Sequence, residues 1–135
     1  MAISKKSVTK KAARVPRLPV VIAAAIDAAR DKKAVEILVL DLRKTAAFTD
    51  YFVICTGANP RQVHAIADAI EEALKNRKVR AAHVEGAQRA EWILLDYFDF
   101  VVHVFSTTAR QFYALERLWG EAVRIDIPLD GEASS

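Results

Sequence analysis

The chain of 135 residues is 53% hydrophobic and 27% charged, a balance that fits one domain with a sizeable core and makes a second domain unnecessary. It has no apolar run near the roughly 20 residues of a membrane-spanning helix and no secretory signal, so we expect a cytoplasmic protein without a membrane partner. The net charge is +3, and the single cysteine, Cys55, excludes an internal disulfide and is interpreted as a buried structural thiol.

Basic residues are concentrated at the start of the chain, before the first acidic residue, Asp27. Six of the 20 basic residues lie there, so the rest of the chain has 14 basic against 17 acidic residues, a net charge of −3. Residues 1–17 contain too few hydrophobic side chains to offset the entropy lost on ordering, which predicts a disordered arm. RNA contact through its cations, a merely solvated tail and an organellar targeting segment all fit this composition. The six cations are Lys5, Lys6, Lys10, Lys11, Arg14 and Arg17.

The first half of the sequence predicts a helix, two strands and a second helix. Pro19 suits the first turn of a helix, and four apolar residues then recur at helical spacing. The runs Val35 to Leu42 and Tyr51 to Thr56 are almost entirely apolar, which is typical of strands covered on both faces. Asn59 can cap a helix from Pro60 to Lys78. The apolar helix faces comprise Ile22, Ala25, Ile26 and Ala29 in the first helix and Val63, Ile66, Ala67, Ile70 and Leu74 in the second.

The second half predicts three strands and a final helix. A short strand is expected around Ala81 to Val84, followed by strands from Trp92 to Tyr97 and from Phe100 to Phe105. Thr108 and Gln111 have the spacing of a capping box, and Gly120 can end the helix that follows. The apolar residues of that helix are Phe112, Leu115 and Trp119.

The connections between these elements define the fold class. Only Phe98 and Asp99 separate the last two strands, which predicts a tight antiparallel hairpin, whereas the helix after Pro60 can serve as a crossover. The fold is therefore α/β, with a mixed β-sheet of about five strands and helices packed on it. We expect the domain to span 18–127 and a flexible tail to follow at 128–135.

One face of this hairpin carries residues that are capable of chemistry. If Tyr97 pairs with Phe100, Asp96 and His103 lie on the same face as Trp92. They form either an acid–base pair or a contact patch, and the patch is favoured because the sequence supplies no nucleophile, oxyanion donors or metal cluster. The three histidines, His64, His83 and His103, lack metal-ligand spacing. We therefore expect no catalytic residues, metal or cofactor.

Two further groups of residues have an ordinary and a functional interpretation. Arg61 follows a predicted helix start, where it either holds an anion or is plain surface. The face of the last helix that bears Arg110, Tyr113 and Arg117 is either solvated or a partner site, and Tyr and Arg are residue types enriched in binding hot spots.

Two blocks of motifs carry a resemblance to a known family. The first is Asp50-Tyr51-Phe52-Val53-Ile54 through Thr56-Gly57, with Arg61-Gln62-Val63 and Ala65-Ile66-Ala67. The second comprises Glu85-Gly86, Glu91-Trp92-Ile93-Leu94-Leu95-Asp96-Tyr97, Val101-Val102-His103-Val104-Phe105, Arg110, Phe112-Tyr113 and Leu115-Glu116-Arg117-Leu118-Trp119. In order and spacing these blocks resemble the Iojap family of ribosomal silencing factors, over about Pro19 to Ile127.

The sequence departs from that family at two positions. The family commonly has serine where Asn59 stands, and asparagine still caps a helix. It commonly has glycine where Phe98 stands, and phenylalanine does not easily adopt the positive φ of a tight turn, so the turn type and the hairpin register stay open.

The resemblance implies a nucleotidyltransferase-like topology and a protein that binds the large ribosomal subunit through ribosomal protein fourteen. It would block association with the small subunit and repress translation when nutrients are limiting. Nucleotide transfer is a rival function, but Gly57 is followed by Ala58 rather than serine and the chain has no Asp-x-Asp pair. An assembly factor or RNA-binding protein of the large subunit is a second alternative, and a homodimer of the free protein stays open.

We expect the docking surface to combine polar and aromatic residues beyond those that a core requires. These are Trp92, Asp96, Tyr97, His103, Arg110, Tyr113 and Arg117. Ribosomal RNA contact is expected, if anywhere, from the six cations of the basic arm.

Overall fold

The computed structural model describes residues 18–120 and 122–128, without the side chains of Phe112 and Glu116. The predicted arm at 1–17 and nearly all of the predicted tail lie outside these residues. No helix in the described ranges is long and apolar enough to cross a membrane. The helices are α1 (Val20–Asp31), α2 (Pro60–Lys75), α3 (Thr107–Tyr113) and α4 (Leu115–Leu118). The strands are β1 (Val35–Asp41), β2 (Tyr51–Gly57), β3 (His83–Glu85), β4 (Trp92–Asp96), β5 (Phe100–Ser106) and β6 (Val123–Asp126).

The strands form one mixed sheet in the order β3-β4-β5-β2-β1-β6. Strands β2 and β5 are parallel, and every other neighbouring pair is antiparallel. The predicted α/β class is confirmed. The sequence did not predict β6, which is short, has mostly exposed side chains and pairs with the outer edge of β1.

Helices cover both faces of this sheet, which explains why its central strands are apolar at most positions. One face packs on α1 and α2, where every residue of the two predicted apolar stripes is buried. The other face packs on α3 and the segment that follows it, through residues such as Ala109, Leu115 and Trp119. All seven residues of β2 are buried because this strand lies between both layers.

The β4–β5 hairpin has the predicted register. Trp92 lies opposite Phe105 and Asp96 opposite Val101, and the Tyr97 amide donates to the Phe100 carbonyl at 2.9 Å. Phe98 adopts the left-handed conformation that glycine would adopt without steric cost, with a φ of 71°. The register is the one that a two-residue turn gives, and the turn accommodates Phe98 at the cost of backbone strain.

The helix ends differ from the predicted ones in four places. Pro19 is the N-cap of α1 rather than its first residue, and α2 ends at Lys75 rather than Lys78, which has a φ of 68°. The capping box was wrong because the Ser106 hydroxyl accepts from the Ala109 amide and so starts α3 earlier. Ala114, with a φ of 44°, then divides the predicted single helix into α3 and α4.

Candidate functional site: an aromatic patch on the sheet

The outer part of the sheet carries a cluster of aromatic rings around Trp92. The indole Nε1 of Trp92 donates to Nδ1 of His103 at 3.0 Å. Its ring lies 4.6 Å from the Tyr113 ring and 5.0 Å from the Phe105 ring, between centroids. Trp92 is partly exposed and Tyr113 is 46% exposed, so the cluster is buried at its base and open to solvent at its rim.

His103 forms the buried base of this cluster. It is 3% exposed, and burial lowers its pKa from 6.5 to about 3. The ring is therefore neutral at physiological pH, and because Nδ1 accepts the Trp92 proton, the ring proton is assigned to Nε2. Nε2 has no hydrogen-bond partner among the described residues, and the ring contacts Phe52 edge-on at 4.6 Å. These properties fit a scaffold residue and not a general base.

Asp96 and His103 do not form an acid–base pair. Asp96 lies opposite Val101, whereas His103 lies opposite Leu94. The Oδ1 of Asp96 accepts the Phe98 amide at 2.8 Å, so this carboxylate stabilises the hairpin turn. It is still partly exposed, and its charge remains accessible beside the aromatic patch.

A groove of about 590 Å³ runs beside Trp92, between the sheet edge and the loop that follows β3. The backbone of Gly86 packs directly against that of Trp92 at the base of this groove. A Cβ at position 86 would lie 2.0 Å from the Trp92 carbonyl oxygen, and the φ of Gly86 is 84°. Val84, 39% exposed, and Tyr113 also line the groove. Only glycine permits this close approach of the loop to Trp92.

Arg110 is a buried link between α3 and the sheet. Its Nη1 donates to the Thr56 hydroxyl at 2.7 Å and to the Glu36 carbonyl at 2.9 Å. Glu36 has a φ of 51° at an irregularity in the β1–β2 pairing, so the guanidinium holds a strained segment in place. The predicted role of Arg110 at a surface is therefore replaced by a structural role at the carboxyl ends of β2 and β5.

Tyr97 lies on the opposite face of the sheet from Trp92. It is 7% exposed and stacks on Phe100 with centroids 4.8 Å apart. Burial, together with the charge of Glu71, raises its pKa to about 12. The structure therefore does not bring Tyr97 together with Trp92 and Asp96.

The other predicted residues have simpler surroundings. Arg117 is exposed on α4, close in sequence to Tyr113, and Arg61 is exposed at the first turn of α2. Cys55 is fully buried, and burial raises its pKa to about 12, as expected of a structural thiol. The arm cations lie outside the described ranges. Within those ranges no group of three or more His, Cys, Asp or Glu residues has the arrangement of a metal site.

Comparison with known proteins gives this arrangement its context. The sequence model of the family described as ribosomal silencing factor during starvation matches residues 15–135. The chain belongs to this family. Ribosomal silencing factor RsfS of Bacillus subtilis is 41% identical over 107 residues, which is 79% of this chain and 88% of that protein. Protein Iojap of Zea mays, which is chloroplastic, is 34% identical over 103 residues, or 76% of this chain and 45% of that protein.

A solved structure agrees with this membership. A crystal structure of a protein from Chromobacterium violaceum matches with a TM-score of 0.72 at 36% identity, covering 74% of this chain and 83% of that chain. The resemblance of the motif blocks to the Iojap family of silencing factors is confirmed.

Sequence reasoning missed two exposed aliphatic residues near this site: Leu118 on α4, which is 72% exposed, and Val84 on the edge strand, which lines the groove beside Trp92. Val84 pairs with Leu95, so its side chain lies on the sheet face opposite to that of Trp92. Both are ordinary aliphatic residues, and their pattern alone does not distinguish an exposed position from a buried one. We use the term docking face for Trp92, Asp96, Tyr113, Arg117 and Leu118.

Proposed function

We propose that the protein binds the large ribosomal subunit through ribosomal protein fourteen and thereby blocks association with the small subunit. Translation is then repressed when nutrients are limiting. Membership of the silencing-factor family supports this proposal, and one observation on the chain itself carries it: the rings of Trp92 and Tyr113 contact each other at a surface that stays open to solvent.

The composition of the docking face suits a protein partner. It combines the partly exposed aromatic rings of Trp92 and Tyr113 and the exposed Leu118 with the charged side chains of Asp96 and Arg117. An apolar centre with a charged rim is the usual anatomy of a specific protein interface. Asp96 additionally favours a basic partner, which is the expected character of a ribosomal protein.

His103, Arg110 and Tyr97 act in this proposal as supports and not as contacts. His103 lies beneath Trp92, Arg110 fixes α3, and Tyr97 belongs to the core of the other face. Substitution of any of them is expected to impair binding only through folding.

Sedimentation of purified ribosomal subunits tests the proposal. The protein should comigrate with free large subunits and lower the fraction of joined ribosomes. Leu118→Ala on the docking face should weaken this effect, whereas Val20→Ala, an exposed aliphatic truncation on α1, should leave it unchanged. Exclusive comigration with small subunits would contradict the proposal.

The basic arm supports a second candidate function, an assembly factor or RNA-binding protein of the large subunit. Phosphate contacts make affinity fall steeply with salt, whereas an apolar-centred interface changes little. Removal of residues 1–17 should weaken subunit binding more at low salt than at high salt. If all binding is lost on removal of the arm, RNA contact is the main interaction.

We propose no enzymatic activity. His103 is neutral and buried, and the Asp96 carboxylate is bound to the hairpin turn. Incubation with nucleoside triphosphates and a divalent metal should give no nucleotide transfer to protein or RNA. A stoichiometric, metal-dependent transfer of nucleotide would show that the protein is an enzyme and would contradict this proposal.

A further inference from the structure

Two phenylalanines lie exposed at the end of the sheet where β2 and β5 begin. Phe48 is 82% exposed and Phe98 is 72% exposed. Their loops are joined directly, since the Thr49 hydroxyl donates to the Phe98 carbonyl at 2.7 Å and the Asp50 amide donates to the Asp99 carbonyl at 3.0 Å. The two aromatic residues therefore belong to one connected surface.

The fold does not require a phenylalanine at position 98. Its φ of 71° is a conformation in which a side chain is strained and glycine is not. The turn is held by backbone groups and by Asp96, whose carboxylate accepts the Phe98 amide, and the Asp99 amide donates to the Tyr97 carbonyl at 2.8 Å. A large apolar side chain is thus kept in solvent against a backbone preference, which is typical of a contact residue.

The charges around this pair are mainly negative. Asp50 and Asp99 are exposed beside it, and Asp96 is partly exposed. Of the cations in the preceding loop, Arg43 is bound to Asp41 by two hydrogen bonds of 3.0 and 2.8 Å and also interacts with Asp50, so Arg43 and Lys44 together offset the four carboxylates only in part. Such a rim repels the phosphates of RNA and attracts a basic protein.

We propose that Phe48 and Phe98 form an apolar anchor that inserts into a recess on a basic protein surface. The anchor is continuous with the docking face through Asp96, and this inference rests on the proposed function because it assigns the anchor to the same ribosomal partner. Aromatic side chains are enriched at the centres of protein interfaces, and the acidic rim orients the approach.

The test uses the full chain with purified large ribosomal subunits, isolated ribosomal protein fourteen and protein-free ribosomal RNA as probes. Phe98→Gly removes the ring and the backbone strain together, so it should raise Tm while weakening binding to the first two probes by about tenfold. Phe48→Ala should weaken binding similarly without a change in Tm. Val20→Ala should bind as the unsubstituted protein does.

The outcomes separate the anchor from the proposed function. If the unsubstituted protein does not bind large subunits, the proposed function fails and the anchor fails with it. If it binds and both phenylalanine variants bind equally well, only the anchor is overturned. A loss confined to the RNA probe, or a change only in self-association during sedimentation of the free protein, would assign the surface to RNA or to a second copy and would also overturn the proposal.

Discussion

The indole of Trp92 donates its only N–H to the buried Nδ1 of His103 at 3.0 Å. This contact joins the solvent-exposed part of the docking face to the core, because His103 also packs on Phe52. The hydrogen bond orients the indole, and it requires His103 to be unprotonated at Nδ1. The docking face therefore depends on a buried imidazole that must stay neutral.

Acidification should destabilise the protein through His103. Its folded pKa is about 3, well below its ordinary value of 6.5, so between these limits the unfolded state binds a proton that the folded state does not. Stability is fully present above pH 6.5 and falls as pH decreases, by up to about 1.4 kcal/mol per pH unit. Urea unfolding between pH 7 and 5 measures this slope. His103→Asn retains an acceptor for Trp92 and should flatten it, and an equal slope in both proteins would contradict the assignment.

Gly86→Ala should destabilise the protein because the new Cβ would approach the Trp92 carbonyl oxygen to 2.0 Å at a φ of 84°. We expect a loss of about 2 kcal/mol or more in the free energy of unfolding. Gly120→Ala is the matched control, since its Cβ would lie 3.9 Å from the Arg117 carbonyl oxygen, an ordinary van der Waals contact. If thermal unfolding gave the two variants equal Tm values, the loop around Gly86 would not be held tightly against Trp92.

Two arginines of the C-terminal helices should respond differently to substitution by methionine. Arg110→Met removes the donor to Thr56 and to Glu36, which should lower the free energy of unfolding by about 2 to 4 kcal/mol. Arg117→Met removes an exposed cation and should leave stability within about 0.5 kcal/mol. Paired melting and binding measurements are required. If Arg110→Met weakened binding without a change in stability, Arg110 would be a contact residue of the docking surface and not a structural link.

Asp96→Asn should separate the charge of this residue from its hydrogen bond. The asparagine oxygen still accepts the Phe98 amide, so Tm should change little, while affinity for a basic partner should fall. Asp96→Ala should in contrast lower stability by about 1 to 2 kcal/mol, because it also removes the acceptor. Unchanged affinity in stable Asp96→Asn would exclude Asp96 from the docking face.

The apolar pattern was sufficient to predict most of the fold. The two-residue spacing between Tyr97 and Phe100 gave the correct hairpin register, because a two-residue turn pairs the residues that flank it. The apolar pattern did not predict β6, whose side chains are largely exposed and whose pairing depends on the free edge of β1. Ala114 carries no local signal for a left-handed conformation, so the break between α3 and α4 was not predictable either.

The candidate site was less predictable because residue type does not determine exposure. Tyr97 and Trp92 are five residues apart, so strand alternation itself places them on opposite faces of the sheet, and grouping them by residue type overlooked this. Arg110 has the type of a surface residue, but three-dimensional proximity to Thr56 and Glu36 makes it a buried link. Leu118 has the type of a core residue and is exposed.

Subunit joining measured with the full chain tests the central claim most directly. Purified large and small subunits are mixed at a magnesium concentration that favours joining, with increasing amounts of the protein, and separated by sedimentation. We predict that joined ribosomes decrease while the protein comigrates with large subunits, and that Leu118→Ala shifts this response to higher protein concentration but Val20→Ala does not. An undiminished joined fraction at saturating protein would contradict the account.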